Sequence, residues 1–442
     1  MSKNKLEVGY GRVDITPDYP VRMAGSAAVR LSEGFLDKIY MTFVALRQGE
    51  DTYFVITADL VGIYEPFSEP ICEKISAVTG IPENRILLNS THTHSSVSAS
   101  KIELEGIARY REDMLVWVEE GAKAALQDLA PAEVYYGSCE TRGMVWVRHY
   151  LTADKGFAGA NYGSYKSGVV GHAYDPDPVM QLIKFDRSAE NKKDVVLMNY
   201  PAHATINQSS TLLSADFPGP ARDYVAEETG ALVAYFIAGG GDQVPISRIA
   251  EENFSKDYVE YGREVGRYAV EVLKALKKTE DNTLRFSEKT YHGKSNKADM
   301  DRVDDALAVK AIWDQVGGRA TKEGREAAKA HGFSSVYAVT AILNRMRFPE
   351  DRYMLLKALA IGEVSMIFAP YEMFGVNARQ IRENSPYPMT FIASCSRKHD
   401  GYLPATCGCE LRCYEAQITK FAYGTAEKLV DEYVDLLKTM KN

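Results

Sequence analysis

Strands and helices alternate along the first hundred residues, and this alternation limits the fold more than any other feature of the sequence. The apolar run over 52–60 predicts a strand, helical spacing of apolar residues over 64–79 predicts a helix, and the run at 86–88 predicts a second strand. This order is typical of α/β folds, in which reactive side chains gather at the carboxyl ends of strands. The segment STHTHSS, residues 90–96, follows the second strand at that place.

The rest of the chain continues this mixture, and no internal repeat is visible in the sequence. Strands are also predicted over 6–16, 39–46, 133–139, 144–147, 178–186, 194–205 and 391–396, before the glycines at 239–241, and on both sides of Gly362. Helices are predicted over 109–130, 220–229, 255–277 and 417–440, and loops over 152–176 and 399–415. We therefore predict an α/β (α+β) fold with mixed β-sheets flanked by helices. It forms a single domain, 1–442, with a helical insert at about 298–346 that is a helical pair or a lid.

Composition limits the partners and the compartment. The chain has 442 residues, 45% of them hydrophobic, and a formal net charge of −8, so nucleic acid is not expected as a partner. No run reaches the roughly 18 apolar residues of a membrane span, and the start, MSKNKLEVGYG, has no signal-peptide core. We expect a cytoplasmic protein as written, or a periplasmic or secreted one if a leader was removed. The oligomeric state stays open.

Histidines concentrate in THTHSS. The chain has eight histidines, and His92 and His94 are separated by one residue. Because alternate residues of a strand point to the same side, both imidazoles are expected to project together from the strand end. Imidazole is a common neutral metal ligand and proton carrier near neutral pH. The alternative is a polar strand end with two hydrogen-bonded histidines.

His203 lies at the C-terminal end of the predicted strand 194–205, and Glu372 lies just past the second of the two strands around Gly362. Three histidines and a carboxylate at strand ends suit a hydrolytic zinc site, in which about three protein ligands leave a position for water. An HExxH motif on a helix would make this assignment specific, but the sequence has no such motif. Cys407, Cys409 and Cys413 form a rival cluster. Structural zinc sites usually have four ligands with CxxC spacing, so buried free thiols are the favoured interpretation.

The glycine run 239–241 follows a predicted buried strand. Glycine backbone can approach a bound anion closely. The segment lacks the Lys-Ser/Thr of a phosphate-binding loop, so nucleotide binding is not expected.

Several motifs, in a shared order from about residue 7 to the C-terminus, resemble those of the neutral ceramidases, zinc amidases that cleave the N-acyl bond of ceramide. They are VGYGRVDIT, MAGSA, TADL, THTHSS, YPAHAT, LSADFPG, APYEMFGVNARQIR and GYLPA. The resemblance implies the fold of the family's catalytic domain and a Zn²⁺ cofactor. It also implies a small-molecule or amphipathic substrate.

The resemblance also implies roles for individual residues. The positions that match the family's zinc ligands are His92, His203, Glu372 and Tyr402. His94 is expected near the substrate carbonyl or the oxyanion, where it would stabilise negative charge or move a proton. Arg148 matches the arginine of the family's NRS segment, and Arg148 and Asp216 are expected to shape the pocket.

The sequence departs from the family pattern at several places. Val244 stands where the family has a serine, and THTHSS lacks the Gly-Pro-Gly that follows the histidines in the family. From the chain as written, we expect neither the family's C-terminal β-sandwich domain nor its secretion signal. A mechanism in which metal-activated water is the nucleophile is compatible with these departures, whereas the changed pocket residues favour a substrate other than ceramide.

Three functions are consistent with these observations. The first is zinc-dependent hydrolysis of an amide by metal-activated water. The second is a metal-dependent glycan lyase or hydrolase on the same fold, which the tyrosines around 150–174 and an open, polar cleft would favour. The third is a ligand-binding relative that has lost catalysis together with the serine replaced by Val244, which an incomplete metal shell would favour.

Overall fold

The computed structural model describes residues 5–25, 29–154, 156–159, 168–249, 251 and 253–441. In these residues the strands are β1 Glu7–Asp14, β2 Gly34–Phe35, β3 Tyr40–Gln48, β4 Asp51–Ala58, β5 Ile86–Ser90, β6 Ala130–Pro131, β7 Glu133–Glu140, β8 Trp146–Val147, β9 His149–Thr152, β10 Phe157–Gly159, β11 Val169–His172, β12 Val179–Asp186, β13 Val195–Tyr200, β14 Leu212–Leu213, β15 Leu232–Ile237, β16 Gln243–Val244, β17 Lys277–Lys278, β18 Leu284–Lys294, β19 Asp351–Ile361, β20 Val364–Phe368, β21 Glu372–Met373, β22 Met389–Ala393 and β23 Tyr402–Leu403.

The helices lie between these strands and after the last one. They are α1 Glu65–Thr79, α2 Ile107–Gln127, α3 Pro218–Thr229, α4 Tyr258–Leu273, α5 Val303–Gln315, α6 Lys322–Ala330, α7 Val336–Arg345, α8 Gly375–Asn384, α9 Thr406–Glu410, α10 Tyr414–Ile418 and α11 Thr425–Lys441. None of these helices has both the length and the apolar character that a bilayer crossing requires.

Three mixed sheets are built in the same way. Their strand orders are β5-β4-β3-β1-β6, β15-β13-β12-β7-β17 and β22-β20-β19-β18. In each, three successive long strands pair antiparallel, and a helix then crosses to a fourth strand that pairs parallel with the third: β4–α1–β5, β13–α3–β15 and β20–α8–β22. We refer to the three units by these residues: unit 1 is 7–127, unit 2 is 133–273 and unit 3 is 284–441. The topology therefore repeats although the sequence shows no repeat.

The inner faces of the three sheets share one apolar core. Val55 and Leu87 of unit 1 pack in it with Phe236 of unit 2 and with Leu359 and Phe391 of unit 3. Alternating strand residues face the other way, towards helices: α1 and α2 cover the first sheet, α3 and α4 the second, and α8 and α11 the third. Burial on both faces explains why the central strands are nearly continuous apolar runs.

Local signals in the sequence explain where helices begin and end. Helix α1 has Pro66 in its first turn and ends at Gly80, whose φ of 75° is left-handed. Helix α4 begins at Asp257, whose carboxylate accepts the backbone N–H groups of Val259 and Glu260.

The predicted mixed α/β fold with helix-flanked sheets is confirmed, and most long strands lie where the apolar runs predicted them. The helical segment expected as a pair at about 298–346 contains three helices, α5, α6 and α7, which connect β18 to β19 and share a small core of their own. The segment 152–176, expected as a loop, contains β10, β11 and the end of β9 in its described part. The predicted loop after 399 contains the short helices α9 and α10, and β18 was not predicted.

Candidate functional site

Side chains from all three units converge at the carboxyl ends of the strands. His92 and His94 follow β5, His203 follows β13 and Glu372 follows β20. His92, His94 and Glu372 line a cavity of about 910 Å³. His203 is completely buried behind them.

The chain folds back at His92. Strand β5 ends at Ser90, and His92 has a φ of 64°, a left-handed conformation that is uncommon for a residue other than glycine. The next residue, Thr93, pairs with Ala204 of unit 2, and His94 donates its backbone N–H to Ala204. The two imidazoles therefore meet because of this strained turn and the contact with unit 2, and the strand alternation that the sequence suggested is not the reason.

All three histidines present the same ring atom to the site. Each Nδ1 lies near a backbone carbonyl: His92 near Val61 at 2.6 Å, His94 near Gly25 at 3.0 Å and His203 near Gly240 at 2.5 Å. Because a carbonyl oxygen can only accept, each Nδ1 carries a proton and donates it. Each Nε2 is therefore left to bind a proton or a metal ion.

These Nε2 atoms and one carboxylate oxygen lie close together. His92 Nε2 is 3.2 Å from His94 Nε2, and Glu372 Oε2 is 3.2 Å from both His92 Nε2 and His203 Nε2. One ligand atom from each of the three histidines fits within 4.8 Å of the others.

The chemistry of this donor set fits a zinc ion. Two ring nitrogens that both present lone pairs repel each other unless a proton or a metal ion lies between them. Zinc binds histidine nitrogen at about 2.0–2.1 Å in a tetrahedral site, which places neighbouring ligand atoms about 3.3 Å apart. The three separations of 3.2 Å are close to that value.

Tyr402 lies beside Glu372. The two residues are paired in the parallel strands β21 and β23, and both line the cavity. The Arg148 guanidinium lies 5.3 Å from the centre of the Tyr402 ring. Burial, together with the Glu372 carboxylate, holds the pKa of Tyr402 well above its ordinary value.

Arg148 is anchored at the wall of the cavity. It donates to Glu415 Oε1 from Nε at 2.7 Å and to the carbonyl of Gly241 from Nη2 at 2.8 Å. Its Nη1 lies 3.4 Å from His203 Nε2. Arg148 therefore joins units 2 and 3 and places a positive charge next to the donor cluster.

Asp216 lies outside the lining of the cavity. It is fully buried with a φ of 54°, and its carboxylate accepts the backbone N–H groups of Asn207 at 2.8 Å and Phe217 at 2.7 Å. Burial raises the pKa of Asp216 to about 7. The residue organises the loop that carries Thr205 and Ile206, which do line the cavity.

The sequence reasoning missed His399. This buried imidazole has its Nε2 3.5 Å from Glu372 Oε1 and contacts the Tyr64 ring edge to face at 5.1 Å. Neither ring nitrogen has a hydrogen-bond partner among the described residues. Its position three residues before Tyr402, in a segment predicted as irregular, was the available signal.

The pKa values of the site histidines are shifted in different directions. Burial is the main cause that lowers the pKa of His203 to about 4, with Arg148 and His92 adding to it, and burial likewise holds the pKa of His94 well below its ordinary value. Burial opposes the charged form of His92 as well, but Cys395 and Glu372 outweigh it and raise the His92 pKa. A metal ion would therefore replace a proton at His92.

The glycine run 239–241 allows close packing between backbone segments. A Cβ on Gly239 would lie 2.4 Å from Ala378 Cβ, and one on Gly241 would lie 2.6 Å from the carbonyl of Glu372. Gly241 N–H donates to the carbonyl of Met373 at 2.8 Å. The absence of side chains allows the end of β15 to approach the segment that carries Glu372.

The three C-terminal cysteines are free and at least partly buried. Burial raises the pKa of Cys407 to about 11 and that of Cys409 to about 12. Within the described residues, Cys413 is grouped with His149 and Glu415 and not with the other two thiols as a candidate ligand set. His149 and Arg148 already occupy the two oxygens of Glu415.

Val244, at the family's serine position, lines the cavity, as does Ser247. The Ser247 hydroxyl lies 3.1 Å from His172 Nε2. The other lining residues are mostly polar or basic, and they include Arg319 and Tyr337 of the α5–α7 segment. A second cavity of about 800 Å³ shares Tyr64 with the first.

Comparison with known proteins establishes the fold. No protein-family model matches the chain, and no curated protein is similar enough in sequence to match it. The structure is similar to that of neutral ceramidase from Pseudomonas aeruginosa, with a TM-score of 0.70, 15% sequence identity, and coverage of 98% of this chain and 74% of that chain. It is also similar to a ceramidase complexed with C2, with a TM-score of 0.71, 14% identity, and coverage of 99% and 75%. The predicted structural resemblance to the neutral ceramidases is therefore confirmed.

Proposed function

We propose that this chain is a zinc-dependent hydrolase that cleaves an amide bond. The observation that carries the proposal is the convergence of three histidine Nε2 atoms and the Glu372 carboxylate at the cavity wall, in a fold shared with two ceramidase structures. His92, His203, Glu372 and Tyr402 would hold the ion. A zinc ion bound there would supply an activated water, with a pKa near 7, and a Lewis acid for the amide carbonyl.

The protein's own groups have separate tasks in this proposal. His94 lines the cavity with its Nε2 3.2 Å from that of His92, and its Nδ1 proton is fixed by the carbonyl of Gly25. His94 therefore moves a proton or stabilises the oxyanion. Arg148, fixed by Glu415, keeps His203 in its neutral, ligand-competent form. Asp216 keeps the 205–207 loop in place.

The first test is metal content and amide hydrolysis in the wild type, His203→Ala and His292→Ala. His292 is an exposed histidine on β18, away from the cavity, and is the matched control. We expect about one zinc ion per chain by mass spectrometry in the wild type and the control, and loss of both metal and activity in His203→Ala. Full activity in chelator-treated, metal-free enzyme would contradict the proposal.

A metal-dependent glycan lyase or hydrolase is the second candidate, because the cavity is lined by polar groups such as Ser98, Ser100 and Gln208. The two activities release different products. An amine and a carboxylic acid indicate amide cleavage, whereas new reducing ends or unsaturated sugars indicate glycan cleavage. Zinc binding without turnover of either class would favour a binding protein.

A further inference from the structure

The cavity carries many cationic side chains, although the whole chain has a formal net charge of −8. Six basic residues line it: Arg22, Arg148, Arg248, Lys256, Arg319 and Lys420. Among the described lining residues, the carboxylates are Glu372 and Asp400. The charge of the cavity is therefore opposite in sign to that of the molecule.

Both carboxylates already have partners. Glu372 Oε2 lies 3.2 Å from the Nε2 atoms of two histidines in the candidate metal cluster. Asp400 accepts from Lys420 Nζ at 2.5 Å and also from Arg352. These acids do not neutralise the remaining basic residues.

Arg22, Lys256 and Arg319 have no carboxylate partner within the described ranges. Arg22 is held in place through its backbone, which donates to the carbonyl of Glu105 at 2.9 Å and accepts the Ser98 N–H at 3.0 Å. The Arg319 guanidinium donates to Thr340 Oγ1 at 3.0 Å and lies 5.6 Å from the centre of the Tyr337 ring. Neither contact removes the positive charge.

The cations come from equivalent places in the three units. Arg22 lies between β1 and β3, Arg148 between β7 and β12, and Arg319 between β18 and β19. The segment between β18 and β19 contacts the cavity wall through Tyr337. The Tyr337 ring meets the Tyr414 ring edge to face at 5.2 Å, and the Tyr414 ring lies 5.9 Å from the Tyr402 ring. The helices α5–α7 therefore form part of the wall.

Cations in a partly enclosed cavity attract anions more strongly than cations on an open surface. The protein walls focus the electric field, and fewer water molecules are present to screen the charges. Arginine also matches a carboxylate geometrically, since its planar fork can donate two parallel hydrogen bonds. A neutral amide would leave the charges of Arg22 and Arg319 uncompensated. We propose that the amide substrate of this site carries a carboxylate, as an N-acyl amino acid does, and that Arg22 and Arg319 bind it. This inference rests on the proposed amide hydrolysis.

Two probes that differ in one group test the inference. N-hexanoylglycine carries the carboxylate, and N-hexanoylglycinamide carries a neutral amide in its place. Release of hexanoate from both is followed with zinc-loaded enzyme. We expect kcat/KM to be at least about tenfold higher for the carboxylate probe, and this preference to fall as salt is added.

Variants identify the residues responsible. Arg22→Gln and Arg319→Gln are each expected to reduce the preference about fivefold, the upper range for one partly exposed ion pair. Arg325→Gln removes an exposed arginine of the same helical segment that does not line the cavity, and it should leave the preference unchanged. Unchanged melting temperatures would show that the variants are folded. Equal rates for the two probes, or an unchanged preference in both cavity variants, would overturn the inference and leave amide hydrolysis intact.

If neither probe is hydrolysed, the proposed function fails for this substrate class, and binding decides the inference separately. Isothermal titration calorimetry of the zinc-loaded protein would then compare the two probes. Tighter binding of N-hexanoylglycine, weakened in Arg22→Gln and Arg319→Gln but not in Arg325→Gln, would support the anion site. Equal or undetectable binding of both probes would overturn it.

Discussion

At the scale of single residues, the site depends on buried imidazoles that remain neutral. His203 and His399 are both buried, and burial lowers the pKa of each to about 4. A neutral ring is what metal binding requires, because the lone pair must be available. The same burial makes the protein sensitive to acid.

The stability of the metal-free protein should therefore fall as the pH decreases. The unfolded chain binds protons on these histidines near the ordinary pKa of about 6.5, whereas the folded chain binds them only near pH 4. The contribution to stability is complete above pH 6.5 and is lost as the pH falls from 6.5 to 4. Each histidine contributes on the order of 3 kcal/mol to this loss.

Urea unfolding of chelator-treated protein at pH 7, 5.5 and 4.5 would measure the effect. His399→Phe should reduce the pH dependence, because it removes one of the buried histidines whose pKa is lowered in the folded chain. A free energy of unfolding that does not change between pH 7 and 4.5 would contradict this assignment.

At the scale of elements, close approach between strand ends brings the ligands together. The glycine run that follows β15 packs directly on the segment that carries Glu372, and a Cβ on Gly241 would lie 2.6 Å from the Glu372 carbonyl. A histidine from unit 2 and a carboxylate from unit 3 share one site because this contact is possible.

Gly241→Ala should disturb the metal site more than it disturbs the fold. The methyl group must displace backbone, which costs about 1–3 kcal/mol, and the displaced segment carries Glu372. We expect at least about tenfold weaker zinc binding in a chelator competition assay, the size of effect seen when a ligand loses its support. Gly171→Ala is the control, since a Cβ there meets nothing within 4 Å. Zinc binding equal in the two variants would argue against this role of the glycine run.

At the scale of the whole molecule, three units of the same topology surround one apolar core, and buried polar contacts also join them. One of these contacts is a buried ion pair between units 1 and 2. Arg222 of α3 donates to both oxygens of Asp59 at 2.7 Å, and both side chains are almost completely buried. Asp59 follows β4, where the sequence suggested a strand end.

Breaking this pair should strongly destabilise the protein. Asp59→Ala leaves the Arg222 guanidinium buried without its counter-charge, and we expect a loss of about 3–5 kcal/mol in the free energy of unfolding. The double variant Asp59→Leu with Arg222→Met removes both charges and should recover much of this loss. Denaturant titration of the single and double variants measures both effects. A double variant as unstable as Asp59→Ala would show that the charge itself is not the cause.

Most strands and helices, and the residue types of the site, could be predicted from the sequence. Apolar runs and helical spacing predicted the strands that lead to His92, His203 and Glu372. Such predictions are possible because the spacing of apolar residues within a segment reflects which of its side chains are buried. The motifs, in their order, predicted a fold that the structure confirms. Three features became visible only in the three-dimensional structure: the threefold topology, the left-handed turn at His92, and the positions of His399, Arg22 and Arg319 around the site. These features depend on contacts between residues that are far apart in the chain. Strand register and packing create such contacts, and local sequence patterns do not contain them.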